Sequence, residues 1–314
     1  MSVRVIDAGD ARIWTDSRGD DQGTPVLLIS GANATAMMWP DRFVCRLADT
    51  VRLFIRCDHR DTGLSSLVDF EAAPYGLEDL SRDAVAVLDG LGVPRAHVVG
   101  LSMGGTIAQV LAMDHPDRLI SMTAMMTAAL DVDFATAYRA AVGGETAPGG
   151  LPGPRVAVVR AFEPPAAGWQ AELDRRVRQW KLLAGDALPF DDADHRAREQ
   201  QDMTRCGTHR PATNHARATP IAPARASGLR DIACQVLVLQ AGQDPLNPPP
   251  HGKHLADSIP GATLVTIDTL GHALPAALFD ALAETLTAHW QAAEAREVKG
   301  GETRPTPCRP EPRE

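Results

Sequence analysis

Hydrophobic and polar positions alternate between two periods along this chain. Short apolar runs rich in β-branched residues predict an antiparallel opening pair of strands at Val3–Ile6 and Ala11–Thr15. Buried strands are expected at Val26–Ile29, Val51–Ile55, His97–Val99, Ser121–Met126, Val236–Leu239 and Leu264–Ile267. Between them, apolar residues spaced three and four apart predict helices at Pro40–Ala48, Leu77–Leu91, Thr106–Met113 and Ala276–Ala293. Strands alternating with helices in this way imply an α/β fold, a mostly parallel eight-stranded sheet with helices on both faces.

One interval breaks the rhythm. Between residues 131 and 230 there is no convincing buried strand, yet helical patterns recur at Phe134–Ala141, Arg155–Phe162, Trp169–Leu183 and Asp192–Met203. The expected organisation is a core in two parts, residues 1–130 and 231–293, with a helical cap of residues 131–230 inserted after the sixth strand. Such a cap would cover the carboxyl edge of the sheet, where open α/β folds bind ligands; helices that only bury a sheet face are the alternative. Residues 294–314, rich in Pro and charge with little to bury, are expected to be a disordered tail.

Composition narrows the class. The chain has 314 residues, 44% hydrophobic and 23% charged, and no apolar run long enough to span a bilayer. Its first residues lack a basic segment followed by an apolar stretch, so the cytoplasm is the expected location. A net charge of -9 is spread along the sequence without a basic stripe interleaved with aromatics, which argues against nucleic-acid and membrane partners. The five cysteines, Cys45, Cys57, Cys206, Cys234 and Cys308, are widely spaced with no Cys-x-x-Cys. Buried free thiols are expected, not disulfides or a zinc site.

The chemistry is concentrated at Gly100-Leu101-Ser102-Met103-Gly104, between a strand and a helix. This is the nucleophile-elbow pattern, a sharp turn that exposes a serine Oγ above a sheet at the start of a helix. A serine hydroxyl needs a base, and the base needs an orienting carboxylate. Asp244 stands just past a strand, and His272 lies on a short loop after the last one, so the chain order Ser102, Asp244, His272 is that of a hydrolase triad. Asp131 and Asp133 compete for the position of the acid. An oxyanion hole would use the backbone N–H groups of Met103 and of Ala32, in Ser30-Gly31-Ala32-Asn33. His59, beside Arg60, is expected to brace the floor of the site, while His195, His209 and His215 are expected at solvated surface. No pair of residues has metal-ligand spacing, so neither metal nor organic cofactor is called for.

These stretches together resemble the anthracycline methylesterases of the α/β-hydrolase superfamily. The likeness is carried by Ile29–Asn33, Trp39–Asp41, Asp58–Gly63, Ala84–Gly90, Ala96–Gly104 and Pro250–Ala256, and within the inserted segment by Leu151–Pro154 and Pro189–Asp192. Residues 204–220 do not look like that family's cap. The resemblance implies an α/β-hydrolase fold with the triad on Ser102, Asp244 and His272. It also implies removal of the methyl group from a carbomethoxy substituent of an aromatic polyketide, after which the freed acid can decarboxylate. The expected partners are that small-molecule ester and water, acting on a monomer or homodimer. Asn33, Met37, Met126 and Phe134 are the candidate substrate contacts, since methionine packs well against aromatic faces. Carbon–carbon hydrolysis or perhydrolysis on the same triad, and a non-catalytic binding protein of the same fold, are the alternatives.

Overall fold

The computed structural model describes residues 2–301 apart from 49, 51, 146–149, 162–165 and 211–212. The strands are β1 (Ser2–Asp7), β2 (Arg12–Gly19), β3 (Thr24–Ile29), β4 (Arg52–Cys57), β5 (Ala96–Leu101), β6 (Leu119–Met125), β7 (Gln235–Ala241) and β8 (Thr263–Ile267). They form one eight-stranded sheet in the order β1-β2-β4-β3-β5-β6-β7-β8. β2 pairs antiparallel with β1 and β4, and the remaining neighbours are parallel.

The period-2 alternation of the central strands builds two cores. Leu27, Ile29, Ile55, Val98 and Val238 face α2 (Leu77–Gly90) and α3 (Met103–Asp114). Val26, Leu28, Phe54, Val99, Leu237 and Leu239 instead pack against Phe43 and Leu47 of α1 (Asp41–Ala48), with Leu286 and Trp290 of the last helix. Each successive side chain thus finds apolar cover, and the strands read as continuous apolar runs.

Between β6 and β7 the chain forms α4 (Phe134–Gly143), α5 (Val156–Ala161), α6 (Trp169–Leu183) and α7 (Asp192–Cys206). After β7 come α8 (His251–Ser258), β8 and α9 (Phe279–Gly301).

Two features differ from the sequence reading. β8 is not a buried strand: it closes the sheet at one edge, where Leu264 is 37% exposed. The chain is still helical past 294, because α9 continues to Gly301 and both Glu294 and Glu297 have partners. Glu294 forms an ion pair with Arg52 and accepts from His97 Nε2 at 3.2 Å, while Glu297 pairs with Arg95 at 2.5 Å. Residues 302–314, with Cys308, lie outside the described residues. Among the other cysteines Cys57 is buried, Cys206 and Cys234 are half-buried, and Cys45 is exposed on α1.

Candidate active site

Ser102 occupies the junction of β5 and α3 with φ 57° and ψ −121°, a conformation that costs a non-glycine residue about 1–3 kcal/mol. Its neighbours are glycine for a steric reason. A Cβ on Gly100 would lie 2.0 Å from the Gly104 carbonyl oxygen, and one on Gly104 would lie 2.3 Å from that of Ile29. The turn is held by the Ser102 N–H donating to Met125 O at 2.9 Å. Ser102 is the N-cap of α3, so the open N–H groups of a helix of 12 residues converge beside its hydroxyl.

The loop after β3 meets the elbow from the side. Gly31 passes so close that a Cβ there would sit 3.3 Å from Ser102 Cβ. Among the described residues, neither the Ala32 N–H nor the Met103 N–H donates to a protein acceptor. Two free donors beside a half-buried serine are what an oxyanion requires.

Asp244 and His272 are joined directly. His272 Nδ1 donates to both carboxylate oxygens, at 2.9 and 3.0 Å, with Asp244 1% and His272 3% exposed. Asp244 Oδ1 also accepts from the N–H groups of Leu246 and Asn247 at 2.8 and 2.9 Å, which fixes the carboxylate. With Nδ1 donating, Nε2 carries the free lone pair that a base needs. The two competing acids are engaged elsewhere: Asp131 bonds His254 at 2.9 Å, and Asp133 caps α4 through the Thr136 N–H at 3.0 Å. Ser102 lies at the carboxyl end of β5 as Asp244 and His272 follow β7 and β8, and no hydrogen bond links Ser102 to His272 among the described residues.

The inserted segment bonds to the loops that carry Thr35, Asp244 and His272. Leu183 at the end of α6 accepts from the His272 N–H at 2.6 Å, and Arg198 of α7 donates to Leu274 O at 3.1 Å. Arg155 N–H donates to Pro245 O at 2.7 Å. On the far side Asp202 accepts from Thr35 Oγ1 at 2.7 Å, and Arg205 donates to Asp58, whose carboxylate also holds the Ala36 N–H at 2.7 Å.

The histidines divide differently from the expectation. His59 is buried and donates through Nε2 to Ser30 O at 2.9 Å, while Arg60 pairs with Asp83 and Asp10, so the bracing role stands. His195 and His215, expected at solvated surface, are each 6% exposed; His209 is half-buried. His195 lies against Phe190 with ring centroids 4.3 Å apart. His215 accepts the Asn33 N–H on Nδ1 at 2.8 Å and donates from Nε2 to Arg60 O at 3.0 Å. Nothing in the sequence marks it, because its partner Asn33 is 182 positions away.

Of the candidate substrate contacts, Asn33 is in the left-handed region at φ 59° with a buried Oδ1 that has no partner. Met37 is half-buried on the 3₁₀ turn Ala36–Met38, and Phe134 is 43% exposed at the start of α4. Met126 is 1% exposed and belongs to the core with Leu239 and Leu274; its carbonyl accepts from Asn247 Nδ2 at 3.0 Å. Met38, next to Met37, is half-buried, and its Sδ accepts the Gly31 N–H at 3.1 Å. Among the described residues no cluster of three or more His, Cys, Asp or Glu could hold a metal ion, and no helix is long and apolar enough to cross a membrane.

Comparison with known proteins agrees with this fold. Residues 24–275 match the family model described as alpha/beta hydrolase fold. The chain is 44% identical over 297 residues to rhodomycin D methylesterase DauP of Streptomyces sp. (strain C5), covering 93% of this chain and 99% of that protein. It is equally similar, 44% over 298 residues with the same coverage, to rhodomycin D methylesterase DnrP of Streptomyces peucetius. Among solved structures, a meta-cleavage product hydrolase from Pseudomonas fluorescens IP01 superposes with a TM-score of 0.68 at 18% identity, over 92% of this chain and 98% of that one. An esterase from Exiguobacterium antarcticum gives 0.68 at 19%, over 92% and 100%. The chain belongs to the α/β-hydrolase fold family and, within it, to the methylesterases.

Proposed function

We propose that this protein hydrolyses the methyl ester of a carbomethoxy substituent on an anthracycline-type aromatic polyketide. The observation that carries this reading is the Asp244–His272 pair on the same sheet edge as the Ser102 elbow, in a chain aligned almost end to end with two rhodomycin D methylesterases.

In this reading Ser102 Oγ attacks the ester carbonyl carbon while His272 Nε2 takes the hydroxyl proton. Negative charge collects on the carbonyl oxygen, which the Ala32 and Met103 N–H groups bind. The C–OCH₃ bond then breaks, and the imidazolium returns its proton to the departing oxygen as methanol. Water attacks the acyl-serine as His272 Nε2 takes its proton, the bond to Ser102 Oγ breaks with that proton returned to Oγ, and the carboxylic acid leaves. Asp244 holds the Nδ1–H throughout and stabilises the imidazolium. This reaction calls for no cofactor, and the freed acid can lose carbon dioxide afterwards.

Residues 131–230 act as a cap over this centre, a role supported by their bonds to the loops of Thr35, Pro245 and His272. Beside the loop after His272, a hollow of about 510 Å³ opens against the α6–α7 connection, lined by Leu188, Phe190, His195 and Ala273 together with the carboxylates Asp192 and Asp194; in this reading it takes the part of the acyl body farthest from Ser102. Small-molecule sites commonly have volumes of roughly 300–1,000 Å³.

The test is mass spectrometry of the products formed from an anthracycline methyl ester by the protein and by Ser102→Ala. Free acid or its decarboxylated derivative, formed only with Ser102 present, is the expected result. Survival of that substrate while a simple aryl ester is cleaved would keep the triad and remove the polyketide assignment.

A further inference from the structure

The Ala32 N–H lies on a turn closed by one long backbone bond, Ala34 N–H to Gly31 O at 3.3 Å, with Ser30 Oγ donating to Thr35 O at 3.0 Å across the loop. Asn33 sits at φ 59°, and the residues on either side of Ala32 bond through their N–H groups to side chains from outside the turn. Met38 Sδ takes the Gly31 N–H, and His59 donates to Ser30 O. The peptide on the other side of Ala32 is held by one group, His215 Nδ1, which accepts the Asn33 N–H at 2.8 Å. His215 comes from the inserted segment, in the stretch 204–220 that departs from the family resemblance.

We propose that His215 is a positioning residue: by gripping the Asn33 N–H from the cap, it sets the peptide plane next to Ala32 and so aims the Ala32 N–H at the developing oxyanion. This deepens the esterase reading and rests on it.

The tautomer suits the task. Nε2 donates to Arg60 O at 3.0 Å, so Nδ1 is the acceptor. Burial, and then the neighbouring His59, push the His215 pKa down to about 4, which keeps that acceptor bare at neutral pH. The groups facing it are His59 at 5.5 Å and Tyr75 at 6.3 Å between ring centroids, with Asp61 and Arg60 nearby. Two cap residues of α7 grip the same loop further on, Asp202 at Thr35 and Arg205 through Asp58 at Ala36. His215 differs from these in reaching the residue adjoining the oxyanion donor.

Three variants separate positioning from other roles. Asparagine places a polar atom where Nδ1 stood, glutamine places one where Nε2 stood, and phenylalanine provides neither. With p-nitrophenyl acetate, whose acyl group is too small to reach the cap, His215→Phe and His215→Gln are expected to lose roughly 10- to 100-fold in kcat with KM within about twofold, because a displaced oxyanion donor acts on the transition state. His215→Asn is expected to stay within about threefold of the parent protein. Phosphonylation of Ser102 by a fluorophosphonate should slow in the same order. The Asn and Gln pair keeps the comparison open if the Phe variant fails to fold.

Equal kcat in Asn and Gln, a loss confined to KM, or a loss seen only with the polyketide ester would overturn the positioning role. If the parent protein neither turns over the acetate nor takes the fluorophosphonate on Ser102, the esterase reading itself fails and the positioning role falls with it.

Discussion

Asp244 and His272, 28 positions apart in sequence, are bound through both carboxylate oxygens to one ring nitrogen. The loop after β7 and the loop after β8 meet there because β7 and β8 are parallel neighbours, so both chains emerge at the same edge. The backbone N–H groups of Leu246 and Asn247 occupy Asp244 Oδ1 from the other side. The carboxylate can therefore neither rotate nor release the imidazole without losing buried hydrogen bonds.

Asp244→Asn preserves the shape of this contact while removing the charge and favouring the wrong imidazole tautomer. The expected loss is about 10⁴-fold in kcat with KM nearly unchanged, as for a triad carboxylate replaced by its amide. Steady-state kinetics on an aryl ester check it. Retention of more than a tenth of the parent kcat would show that Asp244 does not orient the base.

Ser102 holds φ 57° at a stability cost that glycine would not bear. Ser102→Gly is expected to abolish hydrolysis and raise unfolding stability by about 1 kcal/mol, read from urea denaturation. Gly100→Ala should do the reverse at the same turn. Its Cβ would meet the Gly104 carbonyl oxygen at 2.0 Å, and the expected destabilisation is about 3 kcal/mol or more.

Three histidines, the buried His97 and His215 and the half-buried His289, are held by desolvation down to about 4, whereas in the unfolded chain they protonate near 6.5. A depressed folded pKa means stability that is fully present above pH 6.5 and is lost as pH falls toward 4. Each group contributes a slope of up to about 1.4 kcal/mol per pH unit in that window. Urea unfolding at pH 7, 6, 5 and 4.5 should therefore show a steep decline, flatter by about one proton in His97→Gln. A decline confined to below pH 4 would mean these histidines titrate normally.

Much of this was legible beforehand. The strands, the helices and the chain order Ser102, Asp244, His272 follow from local patterns, because an elbow needs glycines in sequence and a parallel strand buried on both faces needs an unbroken apolar run. What stayed illegible depends on contacts between distant segments. His215 carries no local signature; its role is visible only once Asn33 is beside it. The end of α9 was hidden for a similar reason. Composition alone makes residues 294–297 look solvated, yet Arg52, His97 and Arg95 give Glu294 and Glu297 partners. Burial first raises the Glu294 pKa, and the Arg52 and His97 bonds outweigh it to leave the pKa at about 2.

That pairing makes α9 a stabilising element beyond the boundary composition would set. Glu294→Gln is expected to lower stability by about 1–2 kcal/mol at pH 7, since Arg52 is 5% exposed and loses its charged partner. Thermal unfolding of the full chain checks it; an unchanged melting temperature would place Glu294 among surface charges of no consequence.

Phe190 lines the hollow beside the His272 loop. Phe190→Ala is expected to raise KM for a polyketide methyl ester by roughly 5- to 50-fold and to leave p-nitrophenyl acetate unaffected, the range for removing one apolar contact from a pocket. Equal effects on both substrates would mean the ring acts through the fold, not through the acyl body.

The most direct measurement is hydrolysis of an anthracycline carbomethoxy ester in ¹⁸O-labelled water, by the protein and by Ser102→Ala, with isotope analysis of both products. Expected is label in the carboxylic acid, or in the carbon dioxide it releases, with unlabelled methanol and no turnover by the variant. Label in the methanol, or turnover by Ser102→Ala at the parent rate, would contradict acyl transfer through Ser102.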